Sequence, residues 1–305
     1  MSEQIAWIGL GNMGAGMCKN IVEKTRLRHP ILIYDMDEQR AHNLHTRIVH
    51  TEVVSSIAAA AARADIIFYS VPDDKAVFAV LTEILSTGIS GKLIVDCSTV
   101  HPDTTNQESK MVDQHGGHFV ACPVFGAAAM ADAGQLICIL AGNAEDTAKV
   151  KPFTTGVMGK ATIDFTGEEP GKATMMKIIG NTFVLNMVES LSEGHVLAEK
   201  SGLGTAQLHK FIEIMFPGPY TAYSTRMLTG DYYTRERPLF GVDMARKDAR
   251  HALSLAQKAG MTMKHVELAD VYLKVVQEQK GSQGELAAMY GAKRLESGLT
   301  FQNQK

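Results

Sequence analysis

The sequence predicts an α/β protein with an N-terminal doubly wound parallel sheet and an all-α C-terminal domain, joined by a long helix. Three observations support this prediction. Up to about residue 140, short apolar runs rich in β-branched residues alternate with helix-like stretches, the order found in βαβ units. A glycine-rich turn directly follows the first run. After about Asp164, helical periodicity replaces the strand pattern.

Six apolar runs are predicted to form the strands of the sheet. Most are apolar nearly throughout, as expected of strands that helices cover on both faces. They are Ile5–Ile8, Ile31–Tyr34, Ile66–Tyr69, Leu93–Val95, His118–Val120 and Leu136–Leu140. Between the second and third runs, Ala58–Ala64 is predicted to be helical, with Ser55 and Ser56 as N-terminal caps.

The C-terminal part is predicted to begin with a long helix from Ala173 to Lys200. Its apolar residues follow one another at steps of four, which predicts one continuous apolar stripe: Met175, Ile179, Phe183, Met187 and Leu191. Further helices are predicted near 206–215, 241–259 and 266–280. A chain of 305 residues has room for two domains, which we expect to cover residues 1–165 and 166–305.

Charge and composition argue against several classes of binding partner. The chain has 30 Lys and Arg residues and 33 Asp and Glu residues, a formal net charge of -3. No attraction to nucleic acid or anionic lipid is therefore expected. No run of about 18 apolar residues predicts a membrane span. The four cysteines form no C-x-x-C pair and no leader segment is visible, so we expect a cytoplasmic protein with reduced thiols.

A G-x-G-x-x-G turn, Gly9-Leu10-Gly11-Asn12-Met13-Gly14, follows the first strand and opens a helix-like stretch. In a βαβ unit, such glycines allow a tight turn, close approach of a pyrophosphate and close packing of the helix. The phosphate charge would rest on the N-terminus of that helix. The turn therefore predicts a bound dinucleotide.

The end of the second strand predicts which dinucleotide binds. Asp35 lies 21 residues after Gly14, where a carboxylate can accept both hydroxyls of an adenosine ribose. Because the same carboxylate would repel a 2′-phosphate, we expect NAD rather than NADP. Alternatively, Asp35 caps a helix at 36–40, although Asp37 could provide that cap.

Two further features carry less information. Ser70-Val71-Pro72 follows the third predicted strand, at the edge where doubly wound sheets bind ligands, but an ordinary proline turn explains it equally well. His42 and His45 share a helix face with no cysteine or carboxylate at ligand spacing. We therefore expect a solvated surface there and no metal site.

Five segments in the expected order resemble the β-hydroxyacid dehydrogenase family, which includes 3-hydroxyisobutyrate dehydrogenase and 6-phosphogluconate dehydrogenase. The first is the glycine turn, followed by Met17 and Asn20. The others resemble the family's D-x-S-T-x-x-P loop, its P-V-S-G-G segment, its G-x-x-x-x-x-K-x-x-x-N helix and a late K-D pair. They are Asp96-Cys97-Ser98-Thr99-Val100-His101-Pro102, Pro123-Val124-Phe125-Gly126-Ala127, Gly171–Asn181 and Lys247-Asp248.

The resemblance implies that Lys177 is the catalytic acid/base and that Asn181 holds the reacting oxygen or the lysine. The two residues are four positions apart, so they share one helix face. Such a role favours a lysine whose pKa burial lowers toward neutrality. Taken alone, the same pattern would describe a lysine extending to solvent and a polar group on a helix face.

The resemblance also implies a substrate site and further cofactor contacts. A substrate carboxylate would bind Ser98 and the backbone around Gly126, with Phe125 and Ala127 beside it. The resemblance implies cofactor contacts at Thr99 and Lys247, and further cofactor contacts are expected at Val71, Pro72 and Ala76 after the third predicted strand. The alternatives are a strand-end turn at Thr99 and a surface ion pair between Lys247 and Asp248.

One departure from the family pattern concerns Phe125, which stands where the family usually has serine. A hydroxyl donor is lost and an aromatic ring enters. The ring could favour a bulkier or more apolar acyl group, or it could turn inward and fill core space.

Together these features predict an oxidoreductase that transfers a hydride between NAD and a small β-hydroxyacid, or its oxo acid or semialdehyde. The expected substrate is a small, 3-hydroxyisobutyrate-like carboxylic acid. Two alternatives remain: an imine reductase and a non-catalytic NAD(P)-binding module. Apolar positions of the C-terminal part suggest a homodimer, with a tetramer possible. They include Phe211, Met215, Tyr220 and Tyr223.

Overall fold

The computed structural model describes residues 2–303, and its packing divides into two compact units. The first unit extends to Lys177 and the second begins at Ile178. The sequence places the boundary after residue 165, which lies inside the last strand of the sheet. The observed division instead falls within a long helix, because the first turns of that helix pack against the sheet domain.

The first unit contains one mixed sheet. Its strands among the described residues are β1 Ile5–Ile8, β2 Ile31–Tyr34, β3 Thr51–Val53, β4 Ile66–Tyr69, β5 Leu93–Asp96, β6 His118–Ala121, β7 Val124–Phe125, β8 Leu136–Gly142 and β9 Gly159–Thr166. Their order is β3-β2-β1-β4-β5-β6-β8-β7, and β9 pairs with β8. The strands from β1 to β6 are parallel, whereas β8 is antiparallel to both β6 and β7. The predicted doubly wound sheet is confirmed.

All six predicted strands are present, and three were missed. The missed strands are β3, β7 and β9, and each lacks the continuous apolar run on which the prediction depended. Strand β3 has three residues and β7 has two. In strand β9, every residue after Gly159 is exposed or half-buried, and the strand pairs with β8.

The helices of the first unit cover both faces of the sheet. They are α1 Gly14–Lys24, α2 Glu38–Arg47, α3 Ile57–Arg63, α4 Asp74–Leu85, α5 Pro102–Gln114, α6 Ala128–Ala133 and α7 Ala144–Val150. The side chain of Ser56 caps α3, as expected for one of the two predicted caps. Alternate residues of β1 and β4 enter two apolar cores, and Trp7 stacks on Phe68 in one of them at 5.4 Å between ring centroids.

The second unit is helical, as predicted. Helix α8 Gly171–Lys200 leads into it, followed by α9 Thr205–Met215, α10 Pro219–Leu228, α11 Asp231–Thr234, α12 Val242–Lys258, α13 Lys264–Lys280 and α14 Met289–Glu296. Its core is built around the buried rings of Tyr232 and Tyr290, whose centroids lie 5.4 Å apart. Between residues 2 and 303, no helix is long and apolar enough to cross a membrane.

The predicted stripe along α8 is not buried throughout. Met187 and Leu191 are buried, but Met175, Ile179 and Phe183 are exposed, Phe183 by 72%. A helix turns every 3.6 residues, so positions spaced by four rotate by about 40° at each step, and the series reaches the buried face only at Met187.

Candidate active site

The glycine turn after β1 is shaped by contacts that a side chain would break. Gly9 has φ +88°, and a Cβ there would lie 2.3 Å from the carbonyl oxygen of Ser70. A Cβ at Gly14 would lie 2.1 Å from the carbonyl oxygen of Gly9. A Cβ at Gly11 would meet no protein atom within 4 Å. Packing therefore explains the first and third glycines, and the middle one faces open space beside the turn.

Helix α1 begins directly after this turn, at Gly14. Met13 occupies its N-cap position and provides no side-chain hydrogen bond. The first backbone N–H groups of an eleven-residue helix therefore have no side-chain cap, and the helix dipole favours negative charge at this end. This arrangement suits a phosphate group.

Asp35 is buried beside the glycine turn. Its carboxylate accepts hydrogen bonds from the backbone N–H of Leu10 at 2.6 Å and of Asp37 at 2.9 Å. Asp37, not Asp35, is the cap of α2, because its side chain accepts from the N–H of Gln39. The alternative role of Asp35 as a helix cap is therefore wrong. Arg40 approaches Asp35 to 3.8 Å.

The loops after β4 and β5 are joined through Ser98. The N–H of Val71 donates to the Ser98 hydroxyl at 3.0 Å, and the N–H of Ser98 donates to Asp96 at 2.7 Å. Ser98 is buried. The structure thus brings Val71 and Ser98 together at the carboxyl ends of two neighbouring strands, where doubly wound sheets bind ligands.

The remaining predicted contacts of this unit lie at loop surfaces and helix ends. Pro72 is exposed and Thr99 half-buried. The N–H of Ala76 donates to Asp73, which caps α4, at 2.8 Å. Ala127 is exposed and occupies the N-cap of α6.

A buried polar cluster beneath these loops was not predicted. The Tyr69 hydroxyl donates to Glu108 on α5, and both side chains are buried. Burial and the neighbouring Asp96 raise the pKa of Glu108 well above its usual range. The sequence carries a signal for Glu108, because it shares the helix face of buried Thr105 and Val112.

Phe125 and Lys177 are brought into contact at the start of α8. Lys177 is buried, and its Nζ lies 4.6 Å from the centroid of the Phe125 ring. Phe125 is half-buried and packs against one of the two apolar cores. The neighbouring Gly126 has φ +141°, and a Cβ there would lie 2.5 Å from the side chain of Leu136. The ring therefore packs against the core, as one of the two options predicted, and it also contacts Lys177.

In the second unit, Asn181, Lys247 and Asp248 form a buried polar group. The Asn181 side-chain nitrogen donates to Asp248 at 2.7 Å. Lys247 lies 3.4 Å from the other oxygen of Asp248. All three side chains are buried, so the ion pair at 247–248 is not the surface pair that the alternative described. Asp248 was recognised only as part of a motif, and its contact with Asn181 was missed.

Metal ligands are not grouped anywhere in the part of the chain from residue 2 to 303. No cluster of three or more His, Cys, Asp or Glu side chains there could hold a metal ion.

Comparison with family models assigns both halves of the chain. Residues 4–167 match the NAD binding domain of 6-phosphogluconate dehydrogenase. Residues 171–292 match the model described as NAD-binding of NADP-dependent 3-hydroxyisobutyrate dehydrogenase. The chain belongs to the β-hydroxyacid dehydrogenase family. The second match begins at the first residue of α8.

Individual members of the β-hydroxyacid dehydrogenase family are similar over nearly the whole chain. NADH-dependent oxidoreductase ucdB of Aspergillus ustus is 33% identical over 290 residues, which cover 95% of this chain and 98% of that protein. 2-(Hydroxymethyl)glutarate dehydrogenase of Eubacterium barkeri is 29% identical, covering 85% and 83%. The solved structure of Mycobacterium tuberculosis 3-hydroxyisobutyrate dehydrogenase with L-serine has a TM-score of 0.79 at 22% identity, covering 96% and 100%. The chain is therefore an NAD(P)-dependent oxidoreductase of this family.

Proposed function

We propose that this protein is an NADH-dependent oxidoreductase that interconverts a small β-hydroxyacid and its oxo acid or semialdehyde, with Lys177 as acid/base. One observation carries the proposal: Lys177 and Asn181 are both buried, one turn apart on α8. Buried lysines are rare and costly, so they are usually kept for a function. The oxidoreductase names of the relatives support the same reaction class.

The residues around the glycine turn fit NAD. The open space beside Gly11 and the uncapped start of α1 would hold the pyrophosphate. The carboxylate of Asp35 would accept the adenosine ribose hydroxyls and disfavour a 2′-phosphate. The relative from Aspergillus ustus carries NADH in its name, which supports the same preference.

Bound NADH would supply the hydride. In reduction, Lys177 gives a proton to the carbonyl oxygen, and in oxidation its neutral amine takes the proton of the hydroxyl. Asn181, whose amide nitrogen donates to Asp248, would hold the same oxygen through its second N–H or hold Lys177 through its amide oxygen. Ser98 and the backbone near Gly126 would bind the substrate carboxylate, and Thr99 and Lys247 would contact the cofactor.

Substitution of Lys177 tests this function. We expect Lys177→Met to lower turnover by about 10²- to 10⁴-fold on a panel of short β-hydroxyacids and semialdehydes, because general acid–base catalysis contributes about that much. NADH affinity, measured by fluorescence titration, should remain within about twofold. Lys172→Met, an exposed position on the same helix, is the matched control. Near-normal turnover in Lys177→Met would contradict the proposal.

The aromatic ring at Phe125 supports an imine reductase as the second candidate. A ring in place of a hydroxyl suits an apolar substrate better than a carboxylate. Steady-state assays with cyclic imines and with hydroxyacids distinguish the two. Tight NADH binding without turnover on either panel would instead indicate the non-catalytic module. The cytoplasmic location stays a prediction.

A further inference from the structure

The contact between Phe125 and Lys177 joins two elements of the first unit. Phe125 ends β7, where it pairs with Ile137 of β8, and Gly126 follows it with a backbone conformation that side chains rarely adopt. The ring is thus held by the sheet on one side and by a restricted turn on the other. Its face lies 4.6 Å from the Nζ of Lys177, within the range of a cation–π interaction.

This contact matters because burial alone acts against a charged lysine. Removing an ammonium group from water favours its neutral form, so a lysine among apolar groups loses its proton at lower pH than an exposed one. The negative face of an aromatic ring attracts only the charged form. Desolvation and the Phe125 ring therefore have opposite effects on the charge of Lys177.

Two contacts of the first turn of α8 in this unit are with neutral groups. The N–H of Gly171 donates to Asn106 at 2.8 Å, and the hydroxyl of Thr174 donates to that of Thr105 at 3.0 Å. Glu108, also on α5, is bonded to a tyrosine, and burial raises its pKa. The aromatic face adds an electrostatic contribution of its own at Lys177.

Further along α8, Asn181 contacts the ion pair that Asp248 forms with Lys247 on α12. Asn181 is neutral, and its partner Asp248 lies 3.4 Å from the ammonium of Lys247. Lys172, at the start of the helix, is exposed to solvent. A change at Phe125 therefore alters the surroundings of Lys177 without changing the number of charges.

We propose that Phe125 is a positioning residue whose ring holds Lys177 in its charged, proton-donating form, so that the enzyme reduces carbonyl groups at neutral and mildly alkaline pH. This inference rests on the proposed function. In the reductive step, the carbonyl carbon gains a hydride with its electron pair from reduced nicotinamide, and the oxygen gains a proton as an N–H bond of Lys177 breaks. The neutral amine then recovers a proton from water.

The charge of Lys177 can be measured without any substrate. Only an unprotonated amine reacts with acetic anhydride, so the rate of acetylation of Lys177 between pH 6 and 11, read by peptide mass spectrometry on the full chain, gives its ionisation midpoint. In Phe125→Leu we expect that midpoint to fall by about 0.5 to 1.5 pH units, the range that a cation–π contact represents. Phe125→Tyr keeps the ring face and should stay within about 0.3 pH units of wild type.

Controls separate loss of the cation–π contact from general disturbance. Lys172 is an internal reference within every sample, because it is exposed on the same helix. Phe165→Leu removes a half-buried ring from the same apolar core as Phe125. The ionisation midpoint of Lys177 should not shift in Phe165→Leu. The midpoint of Lys172 should not shift in any variant. Phe125→Met is a second ring-free variant of similar volume, to be used if Phe125→Leu does not fold.

The outcomes distinguish this inference from the proposed function. A lowered Lys177 midpoint in the ring-free variants, with reductive turnover declining at a correspondingly lower pH, supports both. An unchanged or raised midpoint overturns the role of Phe125, even if Lys177→Met abolishes turnover. A lowered midpoint in a protein that turns over no substrate leaves the contact established and the reductase function refuted.

Discussion

The side-chain nitrogen of Asn181 donates a 2.7 Å hydrogen bond to Asp248. Because an ionised carboxylate only accepts hydrogen bonds, this contact decides which end of the amide is nitrogen and which is oxygen. Lys247 lies 3.4 Å from the other carboxylate oxygen, so Asp248 is held between a cation and an amide. The amide oxygen of Asn181 is thereby directed away from Asp248.

Asp248→Asn should weaken catalysis by misorienting Asn181. A hydrogen bond to a charged group contributes about 1.5–3 kcal/mol, so we expect a loss of about 10- to 100-fold in kcat/KM with NADH affinity little changed. Steady-state kinetics and NADH titration measure both. Asp243→Asn, on the same helix but bonded to Gln277, is the control and should retain kcat/KM within about threefold. Equal losses in the two variants would point to helix destabilisation instead.

Asp35 should decide the choice between the two nicotinamide cofactors. In Asp35→Ser we expect the ratio of NADPH to NADH affinity to rise by about 10- to 100-fold, because the charge that repels a 2′-phosphate is gone and Arg40 stays nearby. Titration with both reduced cofactors gives the ratio. Glu38→Gln, at an exposed position of α2, is the control and should leave the ratio unchanged. A wild-type protein that prefers NADPH would contradict the assignment.

Acid should destabilise the second unit through His195. Burial, with a smaller contribution from His209, lowers the pKa of His195 to about 4, against about 6.5 in an unfolded chain. The unfolded state therefore binds more protons between these values, and stability falls as pH drops from about 6.5 to 4, by about 3 kcal/mol at most. The Nε2 of His195 lies 2.7 Å from the hydroxyl of Ser224, which also contacts His209.

His195→Gln should flatten this dependence, since glutamine carries no titrating proton. Urea unfolding at pH 7 and pH 4.5 gives the two free energies of unfolding for each protein. The exposed His42→Gln is the matched control and should keep the wild-type slope. A His195→Gln slope equal to that of wild type would remove His195 as the cause.

Exposed apolar side chains of the second unit should support a homodimer. Phe211 and Met215 are 53% and 61% exposed, as expected from the sequence, and Ile214 is 74% exposed. The other two predicted positions differ: Tyr220 and Tyr223 are half-buried against the core. Several exposed apolar residues on one short helix are unusual for a monomer.

Light scattering tests the dimer directly. We expect the wild-type protein to have a molar mass of about twice the 33.1 kDa of one chain. Ile214→Glu should lower the measured mass toward that of the monomer. Val49→Glu, at an 88% exposed position of the first unit, should not change the mass. A monomeric wild type would contradict the proposal, whereas a stable tetramer would extend it.

The parts of the candidate site that the sequence predicts are local. The glycine turn, the strand ends and the four-residue spacing of Lys177 and Asn181 follow from backbone geometry within a few residues. The strands that were missed, such as β9, pair through their backbone and show no apolar run. A similar limit affected the apolar stripe of α8. Side chains spaced by four residues lie on the buried face for only part of the helix.

The sequence by itself determined the doubly wound sheet, the glycine turn and the helical second half, whereas the role proposed for Lys177 came from the resemblance to the family. Those three features depend on periodicity or on the steric freedom of glycine, which act between near neighbours. Only the tertiary structure decided that the ring of Phe125 faces Lys177 and that Asp248 orients Asn181, 67 positions away. Such contacts join side chains whose separation along the chain carries no geometric information, so packing alone selects them.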